Sequence, residues 1–200
     1  NTKPLNHELI YASHDRGFAL ASMRNEKLSR YYIQTSNTDK IEQWPDELFW
    51  KELIKRLPKE YRANIEVGKS IEKSITKLRS LILEPMQWQN LFLAGDAAHI
   101  MPPTGAKGLN LAFSDIFYLS EGFINYYNKG SLDKLNNYSY KALKRVWKTV
   151  EFSKWMTSIL HTLGDDNKLM NKLNKKELQK IKKSKNAQKI IANQYVGLPY

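Results

Sequence analysis

The sequence predicts a mixed fold with α+β and α/β parts: an antiparallel sheet region, one strand–loop–helix unit of α/β type, and a helical C-terminal region. Three observations carry this. Residues 8–36 hold three short β-rich runs joined by polar links. Residues 90–110 pass from a wholly apolar stretch through a Pro-Pro-Thr-Gly turn into glycines and an asparagine. Beyond residue 109, apolar residues recur at helical spacing.

In order along the chain, "ELIYAS", "GFALASMR" and "SRYYIQTS", separated by "HDRG" and "NEKL", read as an antiparallel meander. "WPDELFWKELIKRLP" reads as a helix opened by Pro45 and Asp46 and stopped by Pro58, with Leu48, Phe49, Leu53 and Leu57 on its apolar face. "SIEKSITKLRSLILEPM" returns to strand, with Ile71, Ile75, Leu78 and the run from Leu81 to Leu83 expected to be buried. "NLFLAG" has the short apolar character of a strand covered on both faces in a parallel sheet. Such a strand needs neighbours, so partner strands are expected from residues outside this chain. The first residue is not Met, and both features predict the downstream half of a longer protein.

The next helix carries Leu109, Ala112, Phe113, Ile116, Leu119 and Phe123 on one face. Gly130 ends it, and Ser131 caps the following segment. That segment, residues 132–163, reads as a long amphipathic helix with one break. Lysine-rich helices follow, with Leu169, Leu173, Leu178 and Ile181 as their buried side, and "NQYVGLPY" closes the chain as a loop.

Composition narrows the function classes. With 42% hydrophobic and 12% aromatic residues in 200, the chain is long and apolar enough to fold around a core. No apolar run approaches the roughly 20 residues of a membrane span, and the polar start lacks a signal-peptide core. Cysteine is absent, which excludes disulfides, thiolate catalysis and Cys-ligated metals in this chain. A cytoplasmic location and no metal are therefore expected. The net charge is +12, concentrated in "NKLMNKLNKKELQKIKKSKNAQK". A solvated helix face and a nucleic-acid surface both fit that run. The missing stacking aromatics and binding motifs favour the first.

The chemistry concentrates in "LFLAGDAAHIMPPTGAKGLN". A helix N-terminus presents unpaired N–H groups and partial positive charge. Gly105 and Gly108 let a ligand approach that backbone, and Pro102 and Pro103 stiffen the turn before it. Asp96, at a strand end, is placed to accept hydrogen bonds from sugar hydroxyls. A plain strand–turn–helix connection with an exposed Asp accounts for the same residues on composition alone.

The stretch resembles the second FAD-binding motif of the flavoprotein aromatic hydroxylases, the group A monooxygenases. Most of that family has Gly-Gln-Gly in the turn. "GAKGLN" here is similar instead to the 4-hydroxybenzoate 3-monooxygenase branch, as are "HELIYASHDRGFALASMR", "SRYYIQ", "LRSLILEPM", "RVWKTVEFSKWMTS" and "NQYVGLPY". The resemblance implies part of a Rossmann-like FAD/NAD(P)-binding domain joined to an antiparallel-sheet substrate domain. Residues 1–88 would be the substrate domain, 89–128 the last strand–loop–helix of the FAD domain, and 129–200 a helical interface region.

It also implies site roles. Asp96 holds the flavin ribitol, and the Leu109 and Asn110 amides, with Lys107 and Gly108 in the same turn, face the flavin pyrimidine edge. Arg30 lies against the flavin, and Arg79 serves NADPH. Ser22, Arg24 and Tyr32 bind the substrate carboxylate. The Pro103 carbonyl faces the substrate phenol, whose proton Tyr11 and Tyr195 relay. His99 is expected to be structural.

The implied reaction is NADPH- and O2-dependent hydroxylation of 4-hydroxybenzoate to 3,4-dihydroxybenzoate through a flavin C4a-hydroperoxide, in a cytoplasmic homodimer. A hydroxylase of another aromatic acid, an inactive remnant and a basic binding module are the other readings. The family's Gly-x-Gly-x-x-Gly motif is absent, so FAD binding by this chain alone is expected to be poor. The lysine content of residues 164–193 also departs from the branch.

Overall fold

Alternation of apolar and polar residues along 10–33 builds a three-stranded sheet in the computed structural model, which describes residues 2–162 and 167–197. Strands β1 (Ile10–Ala12), β2 (Ala19–Asn25) and β3 (Leu28–Ile33) pair antiparallel in that order. The register sets Ile10 opposite Ala21, Ala12 opposite Ala19, and Ala21 opposite Tyr31. Their shared face packs on Trp50, Leu53 and Leu57, which follow one side of helix α1 (Asp46–Arg56). Pro45 precedes that helix, Asp46 and Glu47 suit its positive end, and Lys55 and Arg56 suit its negative end. The apolar face is displaced from the predicted one: Leu48 is exposed and Trp50 is buried, because the sheet lies against the Trp50 side.

The chain divides into two compact units, one of Asn1–Lys77 with Ser158–Lys183 and one of Leu78–Thr157 with Ser184–Tyr200. The segment from residue 129 onward therefore contributes to both. In the first unit, Gln34 ties residue 162 to the sheet. Its Oε1 accepts the Phe18 and Thr162 N–H groups at 3.0 and 3.1 Å, while Nε2 donates to the Thr162 carbonyl at 2.8 Å. Helix α2 (Lys59–Arg62) follows α1. Helix α6 (Lys168–Lys183) is anchored by buried Asn174, which donates to the Ser158 carbonyl at 2.7 Å. Leu169 and Leu173 of the expected buried side are exposed.

The second unit holds two short antiparallel pairs, β4 (Leu81–Ile82) with β7 (His99–Ile100) and β5 (Gln87–Trp88) with β6 (Leu91–Phe92). Within "NLFLAG", Leu91–Phe92 forms β6 as an antiparallel rung with β5, and the parallel neighbours are expected from residues outside this chain. Among the described residues every pairing is antiparallel, and with no parallel neighbour alongside it Leu91 remains exposed. Residues 66–80 also form no strand, and Ile71 and Leu78 are exposed. Scattered apolar residues among lysines and glutamates offer no continuous face to bury.

Helix α3 (Gly108–Lys129) packs on α4 (Asp133–Asn136) and α5 (Tyr138–Leu160) around Met86, Leu111, Leu119, Tyr138 and Val146. Gly130, at φ +68°, closes α3 as predicted, and the expected break falls at Asn137. The buried side of α3 is Leu111, Ser114, Asp115 and Leu119, whereas Leu109, Phe113 and Ile116 are exposed. Gly122 faces α4 so closely that a Cβ would stand 2.6 Å from Leu135 Cδ2. Gly122→Ala is accordingly expected to lower stability by about 1–3 kcal/mol through overpacking, read as a drop in melting temperature. Helix α7 (Lys185–Val196) is capped by Ser184, whose hydroxyl accepts the Ala187 N–H at 3.2 Å. It extends through Val196, so the first four residues of "NQYVGLPY" are helix rather than loop; residues 198–200 lie outside the described residues.

Candidate active site

In the first unit, the face of the sheet opposite the core gathers polar residues. Tyr11 stands opposite Leu20, Leu20 opposite Tyr32, and Ser22 opposite Arg30. Paired residues project to one side, so Tyr11, Ser22, Arg30 and Tyr32 share that face. A bulge between Met23 and Asn25 contains Arg24. Arg24 Nη2 lies 3.4 Å from the Tyr32 hydroxyl, and the Arg30 guanidinium carbon is 6.0 Å from the Tyr32 ring centre. No ion pair joins Arg24 or Arg30 to a carboxylate among the described residues. Two unneutralised guanidinium groups around a phenol and a serine hydroxyl form a surface suited to a carboxylate, which a guanidinium fork binds at two points.

In the second unit, Gly95 adopts φ +59°, a conformation that favours glycine, and opens the short 3-10 turn Gly95–Ala97. Asp96 is exposed on that turn. A second reversal follows at residues 103–106, where the Ala106 N–H donates to the Pro103 carbonyl at 2.9 Å and Gly105 has φ +90°. That bond leaves the Pro103 carbonyl one lone pair for another donor.

The first bond of α3 runs from the Leu111 N–H to the Lys107 carbonyl, at 3.0 Å. The N–H groups of Gly108, Leu109 and Asn110 therefore have no acceptor within the helix. No side chain caps this end, and no acidic residue lies in its first turn. An exposed carboxylate and an uncapped, positively polarised helix end fit a cofactor that offers hydroxyls on one part and an electron-rich ring edge on another.

Lys107 is buried, and its Nζ donates to the Tyr195 carbonyl. The ammonium lies 5.3 Å from the Tyr195 ring centre and 5.8 Å from that of Phe152. Burial, and then the charge of Arg145, hold its pKa below the usual lysine range. Lys107, Arg145 and Phe152 border an open cleft of about 370 Å³ together with Asn110 and Gly197. A larger depression of about 630 Å³, beside Thr2, Asn25 and Ile71, holds none of the predicted site residues.

Of the predicted residues, Tyr11, Ser22, Arg24, Arg30 and Tyr32 thus meet on one sheet face. Asp96, Pro103, Lys107, Gly108, Leu109, Asn110 and Tyr195 belong to the other unit. Arg79 is exposed in a stretch without helix or strand. Sequence reasoning missed Asp115. It is fully buried, accepting from the Gly95 N–H at 2.8 Å and lying 2.8 Å from His99 Nε2. Its signal was the spacing Leu111–Asp115–Leu119, a carboxylate in register with two apolar residues one turn away on either side. Nearby, Tyr138 donates to the Leu93 carbonyl at 2.6 Å; burial, and then the Asp115 charge, push its phenol above the ordinary range.

Residues 1–153 match the family model for an FAD binding domain. The chain belongs to the FAD-binding domain family. The p-hydroxybenzoate hydroxylase of Acinetobacter baylyi is 53% identical to this family member over 197 residues, 98% of this chain and 49% of that protein. The chain thus spans about half the length of that relative. A rifampicin monooxygenase of Streptomyces venezuelae is 69% identical over 29 residues, 14% of this chain and 6% of its own. Among solved structures, 2,6-dihydroxypyridine-3-hydroxylase from Arthrobacter nicotinovorans matches with a TM-score of 0.53 at 18% identity, covering 80% of this chain and 48% of that one. That match establishes a shared fold. No helix among the described residues is long and apolar enough to cross a membrane.

Proposed function

We propose that this FAD-binding family chain is the substrate-holding and flavin-edge part of an NADPH- and O2-dependent hydroxylase that converts 4-hydroxybenzoate to 3,4-dihydroxybenzoate. The observation that carries the reading is the sheet face on which Ser22, Arg24 and Tyr32 converge with no opposing carboxylate among the described residues. The 53% identity to a p-hydroxybenzoate hydroxylase across nearly the whole chain supports it.

The residues divide the work. Arg24 offers a two-point fork to the substrate carboxylate, with Ser22 and Tyr32 adding hydroxyl contacts. Tyr11 and Tyr195 move the phenolic proton, since loss of that proton enriches the ring carbon ortho to the oxygen. The second lone pair of the Pro103 carbonyl faces the phenol. FAD, when bound, would supply the chemistry that uses the electrons of NADPH to activate O2. Asp96 holds its ribitol, and the free amides of Leu109 and Asn110, beside Lys107 and Gly108, stabilise negative charge on its ring without reorganising. Arg30 lies against the flavin and Arg79 meets NADPH. The full-length protein works as a cytoplasmic homodimer, as the family resemblance implies.

The test is to supply the full-length protein with several para-hydroxylated aromatic acids, following NADPH oxidation together with product. The expected result is 3,4-dihydroxybenzoate formed in step with NADPH consumed. Oxidation that yields peroxide and no catechol from 4-hydroxybenzoate would overturn the assignment of this acid.

A further inference from the structure

One carboxylate oxygen in the second unit binds both ends of the Asp96 turn. Asp115 Oδ2 accepts the Gly95 N–H at 2.8 Å, and it stands 2.8 Å from Nε2 of His99, on strand β7. Residues 95–99 are therefore closed onto α3 as a loop, with exposed Asp96 inside it. Asp115 lies on the same helix whose first turn presents the Leu109 and Asn110 amides, which have no acceptor within the helix. The contact thus determines the spacing between the two parts of the unit that fit a cofactor.

Packing alone gives a poor account of this carboxylate. Asp115 and His99 are both fully buried, and Asp115 Oδ1 and His99 Nδ1 have no hydrogen-bond partner among the described residues. Burying a carboxylate with an unsatisfied oxygen is destabilising, and an apolar residue of similar volume would avoid that penalty. A glycine held at φ +59°, by contrast, gains from an acceptor that restrains its amide.

We propose that Asp115 is a positioning residue for cofactor binding: by fixing Gly95 and His99 to α3, it sets where Asp96 presents its carboxylate relative to the helix N-terminus. The proposal rests on the reading that Asp96 holds the FAD ribitol.

The experiment compares Asp115→Leu, Asp115→Asn and Asp96→Ala in the full-length protein. The readouts are FAD affinity by fluorescence titration and amide hydrogen exchange of the apoprotein. Asp115→Leu removes the acceptor at similar volume. It should weaken FAD by about ten-fold, the size of one lost hydrogen bond, and should speed exchange across residues 93–100 while that of α3 stays at the wild-type rate. Asp115→Asn retains an acceptor for Gly95 and should restore most of both.

If Asp96→Ala weakens FAD while Asp115→Leu leaves it unchanged, the positioning role is wrong and the reading of Asp96 stands. If Asp96→Ala leaves FAD affinity unchanged, that reading fails, and the positioning role with it. Equal loosening of the turn and α3 in Asp115→Leu would reduce Asp115 to a packing residue and overturn the proposal. Should Asp115→Leu fail to fold, the wild-type protein still decides: a Gly95 amide that exchanges as fast as an unprotected loop overturns the anchor, and slow exchange supports it.

Discussion

Arg24→Ala in the full-length protein should weaken 4-hydroxybenzoate binding by about 100-fold, or about 3 kcal/mol. The magnitude follows from removing a charged donor with two-point geometry while a carboxylate still has to leave water. Arg24 is exposed in its bulge, so partial screening keeps the loss near this value. Arg24→Lys should recover only part of the affinity, because an ammonium restores charge without the planar fork. FAD affinity should be unaffected in both variants. Equilibrium titration of the acid provides the measurement, and unchanged affinity in Arg24→Ala would place the carboxylate elsewhere.

The sheet that carries Arg24 was legible because two kinds of signal agree there. Strict alternation sends Ala19 and Ala21 one way and Ser22 the other, and short polar links dictate hairpin connections. The meeting of Ser22 with Arg30 depends on register, which no single strand encodes; the family resemblance brought those residues together before the fold did. Helix α3 shows the opposite case. Apolar residues surround much of it, so periodicity marks a helix without deciding which side is covered. The partners α4 and α5 decide it, burying Leu111, Ser114 and Asp115 while Leu109, Phe113 and Ile116 stay exposed. The spacing signal of Asp115 is readable only once the covered side is known: it lies one turn from Leu111 and Leu119, off the expected face of Leu109, Phe113 and Ile116. "NLFLAG" is different again: a short apolar run has the same composition in a parallel sheet and in a two-residue hairpin rung, and the rung with β5 is the pairing formed among the described residues.

Glu52→Gln should destabilise the protein by about 3 kcal/mol at neutral pH, because it breaks a buried ion pair and leaves a buried guanidinium uncompensated. Glu52 is buried on α1. Arg16 grips it at two points, with Nε 2.9 Å and Nη2 2.7 Å from its two oxygens, and Arg56 Nη2 approaches to 3.3 Å. Arg16 is half-exposed, but Arg56 is as buried as Glu52, and among the described residues it is left with the Gln34 carbonyl and a neutral amide oxygen when the charge is removed. The hydrogen bonds from Arg16, partly offset by burial, hold the Glu52 carboxyl at about 2, against an ordinary value of 4.5.

A carboxylate with a depressed native pKa stabilises the fold above its unfolded pKa, and that stabilisation is lost as pH falls through the native value. The difference between wild type and Glu52→Gln should therefore be full above about pH 5 and shrink steadily towards pH 2. Asp46, held well below the usual carboxylate range by hydrogen bonds from Lys73 and then Ser70, adds acid sensitivity of the same sign to both proteins. Denaturation at a series of pH values measures the difference directly, and Asp46 cancels from it. A gap between the two proteins that is as wide at pH 3 as at pH 7 would mean that Glu52 stabilises by shape rather than by charge.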